Sequence, residues 1–112
     1  MDDSQEILAV LCNCPDDVCA QSLAQGLVEA GLAACVNQLP PVQSVYRWQG
    51  RTEIAMEVPL LVKTTRSRYP ALQAWLVARH PYDVPEIVAW PISIGLPAYL
   101  QWVHHSVSGT TP

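Results

Sequence analysis

Two cysteines and one histidine have the clearest capacity for chemistry in this sequence. Cys12 and Cys14 are spaced C-x-C in "VLCNCPDD", and His80 stands in "RHPYDVPEIVAWP". Alternate residues of a strand share a face, so the C-x-C pair can present two thiols to one soft metal ion if the strand runs that far. His80 adds an imidazole, which suits the same copper- or zinc-like ions. Each feature also has a plainer reading. Free cysteine is a small, commonly buried hydrophobe. His80 precedes Pro81, which pushes its backbone towards extended geometry and stops a preceding helix, so the ring can simply cap the last helical carbonyls. Cys19 and Cys35 read as core packing. His104 and His105 are adjacent, diverge by about 100° on a helix and do not chelate readily; they read as a solvated, frayed last turn.

The polar residues Glu57, Lys63, Tyr82 and Glu86 stand out in an apolar chain and are candidates for a ligand cleft. Glu57 and Lys63 share a strand face but lie about 20 Å apart, so they do not pair within one chain. Tyr46 and Trp48 share a hairpin face and suit anchors between subunits. Trp75, Trp90 and Trp102 are expected in the core. There is no Ser-His-Asp order, glycine-rich phosphate loop or H-E-x-x-H. Cys12 with His80 lacks an orienting third group and an oxyanion hole. An enzyme is not expected.

The elements that must position these residues are legible as periodicities. "ILAVLC" is apolar throughout, as in a strand covered on both faces. Pro15 suits a first helical position, with Asp16 and Asp17 near the positive helix end. Ala20, Leu23, Ala24, Leu27 and Val28 form one helical face, and Gly31 ends it. Gly26 within this helix costs about 1 kcal/mol against Ala, and nothing in the sequence accounts for it. "ACVNQL" and "SVYRWQG", separated by Pro40-Pro41, make the second strand. Gln49-Gly50 is a hairpin turn, and "RTEIAMEVPLLVKTT" returns as a long third strand. Pro59 in it implies an edge or a bulge. A second helix follows from Pro70 with Leu72, Trp75, Leu76 and Arg79 on one side. "EIVAWPI" is the fourth strand. "LPAYLQWVHH" is a short third helix with Tyr99, Trp102 and Val103 inward.

The order is β-α-β-β-α-β with an added C-terminal helix: an α+β, ferredoxin-like sandwich with a long hairpin between the second and third strands. Right-handed crossovers make the first two strands parallel, with the third between them. Following strand directions, Cys12, His80, Tyr82 and Glu86 meet at one rim of the sheet, and Lys63 falls at the opposite rim.

With 112 residues, 50% of them hydrophobic and 14% charged, the chain reads as one domain, residues 1–112, with tails at 1–6 and 107–112. So little charge suggests surface hidden in an oligomer. The net charge of −4 and six scattered basic residues exclude nucleic-acid binding. The longest apolar run, Ile7 to Cys12, is six residues, too short for membrane insertion. The acidic start "MDDSQE" is unlike a secretory signal. Cytoplasmic location and reduced thiols are the expectation.

The stretches "LCNCPD", "GLAACVNQLP", "VYRWQG", "EVPLLVKTT", "HPYDVPEIVAWPI" and "YLQWV" together resemble the CutA divalent-cation tolerance proteins over roughly residues 7 to 106. The resemblance implies a homotrimer in which the long hairpin pairs with neighbouring subunits, and a role in the response to metal ions. It also implies copper, or zinc, at Cys12 and His80. In some members the copper ligands are a cysteine ending the first strand and two consecutive histidines before "PY". The first of those histidine positions is Arg79 here, which cannot ligate while protonated; Cys14 is an addition the family pattern does not demand. At fold level the chain is also similar to PII-type signalling proteins, which implies an alternative: a signalling module with a small molecule or protein partner in the cleft between subunits. A trimeric scaffold without ligand is the third reading.

Overall fold

The computed structural model describes residues 5–108. Five strands and three helices follow one another: β1 (Ile7–Cys14), α1 (Asp17–Glu29), β2 (Cys35–Gln38), β3 (Val42–Trp48), β4 (Arg51–Thr65), α2 (Tyr69–Arg79), β5 (Ile87–Pro91) and α3 (Pro97–Val107). The sheet order is β2-β4-β1-β5, with β3 paired to the distal part of β4. β4 is antiparallel to both β1 and β2, so those two are parallel and β4 lies between them. This is the split βαβ arrangement the element order predicts.

β1 continues two residues past Cys12, and its last pair is Cys14 with Val58. The even positions Val10, Cys12 and Cys14 join Val58, Leu60 and Val62 of β4 in the main core, covered by Ala20, Leu23 and Leu27 of α1 and Leu72 and Leu76 of α2. On the other side α3 seals a smaller cluster with Val103 and Val107 against Ile7 and Ala34. A strand covered on both faces has no use for polar alternation.

Helix ends follow local chemistry. Asp16, not Pro15, opens α1: its backbone is extended and its carboxylate accepts from the Cys19 N–H at 2.8 Å. Gly31 takes a positive φ of 73° after the helix, as a left-handed cap requires. Gly26 is explained by α2: a Cβ there would lie 2.6 Å from Cη2 of Trp75, so the glycine makes room for the indole.

Pro59 is not at an edge of the sheet, but it stands at the expected bulge. It lies inside the sheet, opposite Asn13 of β1. Its carbonyl accepts from the Leu39 N–H at 2.9 Å on the β2 side, so its missing N–H falls where the partner strand itself breaks at Pro40-Pro41. The pairing of β4 shifts by one residue there, from Gln38 opposite Leu60 to Val42 opposite Glu57. Beyond it β3 and β4 form a two-stranded ribbon closed by Gln49 and Gly50, both with positive φ, the geometry of a tight two-residue hairpin turn.

Three expectations are corrected. Trp90 and Trp102 are not core residues: they are 45% and 42% exposed. Tyr99 is 37% exposed, so of the three residues expected inward on that helix only Val103 is buried, with Val107 beyond it. The C-terminal turn is not frayed: α3 runs to Val107, whose side chain is buried and whose carbonyl accepts from Arg68 Nε. His104 is accordingly half-buried, with His105 at its side. At the other end Glu6 pairs with Arg66. The rest of the expected tails, 1–4 and 109–112, lies outside the described residues.

Candidate metal centre

The core end of β1 collects the three groups that the sequence singles out. One donor atom each of Cys12, Cys14 and His80 lies within 4.8 Å of the others, and all three residues are buried. The strand supplies the cysteines at alternate positions on one face. Helix α2 supplies the histidine: His80 is its C-cap, with ψ 138°, and its N–H bonds Leu76 O at 2.7 Å before Pro81 turns the chain.

The ring of His80 is held from both sides. A ring nitrogen must accept from the Tyr82 N–H, and Nδ1 does so at 3.1 Å. The proton therefore sits on Nε2, which donates to the Asn13 carbonyl at 2.7 Å. Tyr82 also packs on the imidazole, with ring centroids 4.8 Å apart. His80 is thus a neutral imidazole of defined tautomer, anchored to the strand between the two cysteines.

The Cys14 and Cys19 thiols are held in their protonated form. The hydrogen bond that the Cys14 S–H gives to Cys12, and then burial, push the Cys14 thiol well above its usual range. Burial, with Cys14 and Asp16 nearby, pushes Cys19 up to about 11. A metal ion binding here must displace protons.

Around this buried trio runs a polar rim. The Tyr82 hydroxyl donates to Glu57 Oε2 at 3.0 Å. Burial and the Glu57 carboxylate push its phenol up to about 12. Asn13 donates from Nδ2 to Glu86 Oε1 at 3.1 Å. Of the cleft candidates, Glu57, Tyr82 and Glu86 therefore belong to one rim. Lys63 does not: it lies opposite Cys35 and Ala9, where its ammonium donates to Asn37 Oδ1. Asn13 is the residue that sequence reasoning missed. It is buried, holds His80 through its carbonyl and Glu86 through its amide; the available signal was a lone polar residue inside the apolar run "LCNC". Arg79 turns away from the trio. Its guanidinium lies 4.2 Å from the Trp75 ring centre, and Nη1 donates to Trp75 O at 3.2 Å. Tyr46 and Trp48 lie on the exposed ribbon.

Fold and site define a small ferredoxin-like α+β protein with a buried thiol–imidazole cluster at the end of its first strand. Residues 8–106 match the family described as CutA1 divalent ion tolerance protein. The chain belongs to that family. It is 44% identical over 102 residues to the divalent-cation tolerance protein CutA of Pectobacterium atrosepticum, covering 91% of this chain and 93% of that one. The crystal structure of CutA from Xylella fastidiosa superposes with a TM-score of 0.89 at 41% identity, over 91% of this chain and 98% of the other. The periplasmic divalent cation tolerance protein CutA from Archaeoglobus fulgidus gives 0.87 at 34% identity, over 90% and 98%. No helix among the described residues is long and apolar enough to cross a membrane.

Proposed function

We propose that this chain acts in divalent-cation tolerance as a homotrimer that binds copper or zinc weakly through Cys12 and His80. The observation that carries the reading is the convergence of these two residues, 68 positions apart in the chain, to within 4.8 Å. The donors fit soft and borderline ions: the pair supplies one thiol and one imidazole, and the cluster around it holds no carboxylate, where magnesium or calcium would require oxygen. Arg79, in the place of a second histidine, is engaged with Trp75 and contributes nothing. Weak binding is the consequence, because an ion must remove a thiol proton and compete with the Tyr82 N–H for Nδ1. In such a protein the bound ion is cargo or signal, not a reactive centre, and no catalytic role follows. The names of the relatives support the tolerance role, and the free cysteines support the cytoplasm as its place of work.

Calorimetry of reduced protein against copper and zinc tests the site. Heat of binding is expected for the native chain and none for Cys12→Ser combined with His80→Ala; binding unchanged by the double substitution would end this reading.

A second reading is favoured by the rim itself. Tyr82 with Glu57, and Asn13 with Glu86, form a polar edge beside the exposed apolar ribbon. In a trimer that edge would line a boundary between subunits, where a signalling module holds a small molecule or a partner's loop. A metabolite screen by thermal shift tests it. A ligand whose effect survives Tyr82→Phe and Glu86→Gln together would not be bound there.

A further inference from the structure

Cys14 is the member of the buried trio that neither the Cys12–His80 reading nor the family pattern uses. Its position is specific. It shares a face with Cys12 and is fully buried, and its sulfur is within 4.8 Å of both Cys12 Sγ and a His80 ring nitrogen. Two thiols alone would pack as small hydrophobes. An imidazole in the same pocket is another matter, since a buried polar ring must be oriented by partners. His80 is oriented in the way ligating histidines are: Nε2–H is given to a backbone carbonyl, which fixes the ring and leaves the Nδ1 lone pair as the basic one. That lone pair is occupied only by the Tyr82 N–H, the longer of the ring's two bonds at 3.1 Å against 2.7 Å. The acids of the rim are engaged elsewhere, Glu57 with Tyr82 and Glu86 with Asn13. The pocket thus offers two sulfurs and one nitrogen, and no oxygen donor suited to a hard ion.

We propose that Cys14 completes, with Cys12 and His80, a buried three-donor site for a closed-shell thiophilic ion, zinc(II) or copper(I). The inference rests on the reading of Cys12 and His80 as ligands and supplies the third donor that Arg79 does not. On binding, each cysteine S–H loses its proton to solvent and its sulfur bonds the ion. Nδ1 exchanges the Tyr82 N–H for the ion, and no electron is transferred. The two ions differ in what they ask of the pocket. Copper(I) is satisfied by three soft donors. Zinc(II) takes four, and the Cys19 thiol, which interacts electrostatically with Cys14, is the candidate for the fourth.

The test uses reduced protein under anaerobic conditions, given one equivalent per chain of zinc(II) or of copper(I). Each ion is set in competition with a chromophoric chelator of that ion, and metal–sulfur neighbours are counted by X-ray absorption. The expected result is retention of at least one ion, with two sulfurs around copper(I) or three around zinc(II). Cys14→Ala should lower its affinity by more than about 100-fold, beyond what loss of an outer-shell partner costs. A single sulfur in the native protein overturns the role of Cys14, and that count stands even if Cys14→Ala fails to fold. So does an affinity unchanged in folded Cys14→Ala. If Cys12→Ala and His80→Ala still abolish binding in that case, the simpler two-residue site survives alone. If neither ion withstands its chelator, the three-donor site is overturned; calorimetric heats that are also absent end the two-residue reading with it.

Discussion

At the residue scale, the packing of Gly26 against Trp75 reverses a general rule. Alanine normally gains about 1 kcal/mol over glycine inside a helix. Here its Cβ would meet the indole at 2.6 Å, and forcing a group into packed space costs about 1–3 kcal/mol. Gly26→Ala should therefore destabilise by about 1 kcal/mol in urea unfolding at fixed protein concentration. In a Trp75→Leu background the same substitution should stabilise, and a double-mutant cycle showing no coupling would refute the steric account. Tyr82 gives a pH prediction. Its phenol is raised from an ordinary 10.0 to about 12, so the folded chain holds this proton more tightly than the unfolded one. The resulting stability is complete below pH 10 and is lost as pH rises through the folded value. Unfolding midpoints should fall between pH 10 and about 12, and fall less steeply in Tyr82→Phe; parallel curves would contradict the assignment.

At the scale of elements, the Asp16 cap joins the metal-site candidates to the helix beside them. Its carboxylate accepts the N–H of Cys19, so the first turn of α1 and the third thiol depend on one side chain. Asp16→Ala should cost about 1 kcal/mol, measured by denaturant unfolding, while Asp16→Asn, which keeps the acceptor, should cost much less. Element order and direction could be read directly from the sequence, because apolar alternation, helical spacing and the Gly31 and Gln49-Gly50 signals each report a local constraint. Directions alone were enough to bring Cys12, His80, Tyr82 and Glu86 to one rim and to send Lys63 to the other. What escaped the sequence depends on contacts between elements. Asn13 matters because His80 arrives opposite it, Gly26 because Trp75 does. Pro59 is tolerated inside the sheet because its partner breaks at the same point. Trp90 and Trp102 misled for a related reason: their apolar character marks surface to be covered, and sequence does not distinguish cover by the same chain from cover by another.

That distinction governs the whole molecule. The described residues span 46 × 25 × 23 Å, and the long axis reflects a ribbon of β3 and distal β4 that extends from the packed domain. An isolated two-stranded ribbon is marginal in water. This one exposes Val45, Tyr46, Trp48, Ile54 and Met56, while Val88, Trp90 and Trp102 are exposed on the body. A lone chain would carry apolar patches and an unpaired strand edge that favour aggregation. A closed assembly such as the proposed trimer would remove both at once, because closed symmetry leaves no free edge on which further copies can add. The proposed trimer should scatter light as three times the 12.3 kDa chain at micromolar concentration. Trp48→Glu with Ile54→Glu should yield a smaller species with lowered thermal stability, because subunit association stabilises the folded chain by mass action. The buried thiol–imidazole cluster lies within one chain, so the dissociated variant should still bind a metal ion, though with a more mobile rim. Metal binding lost together with the trimer would instead mean that a neighbouring subunit completes the site.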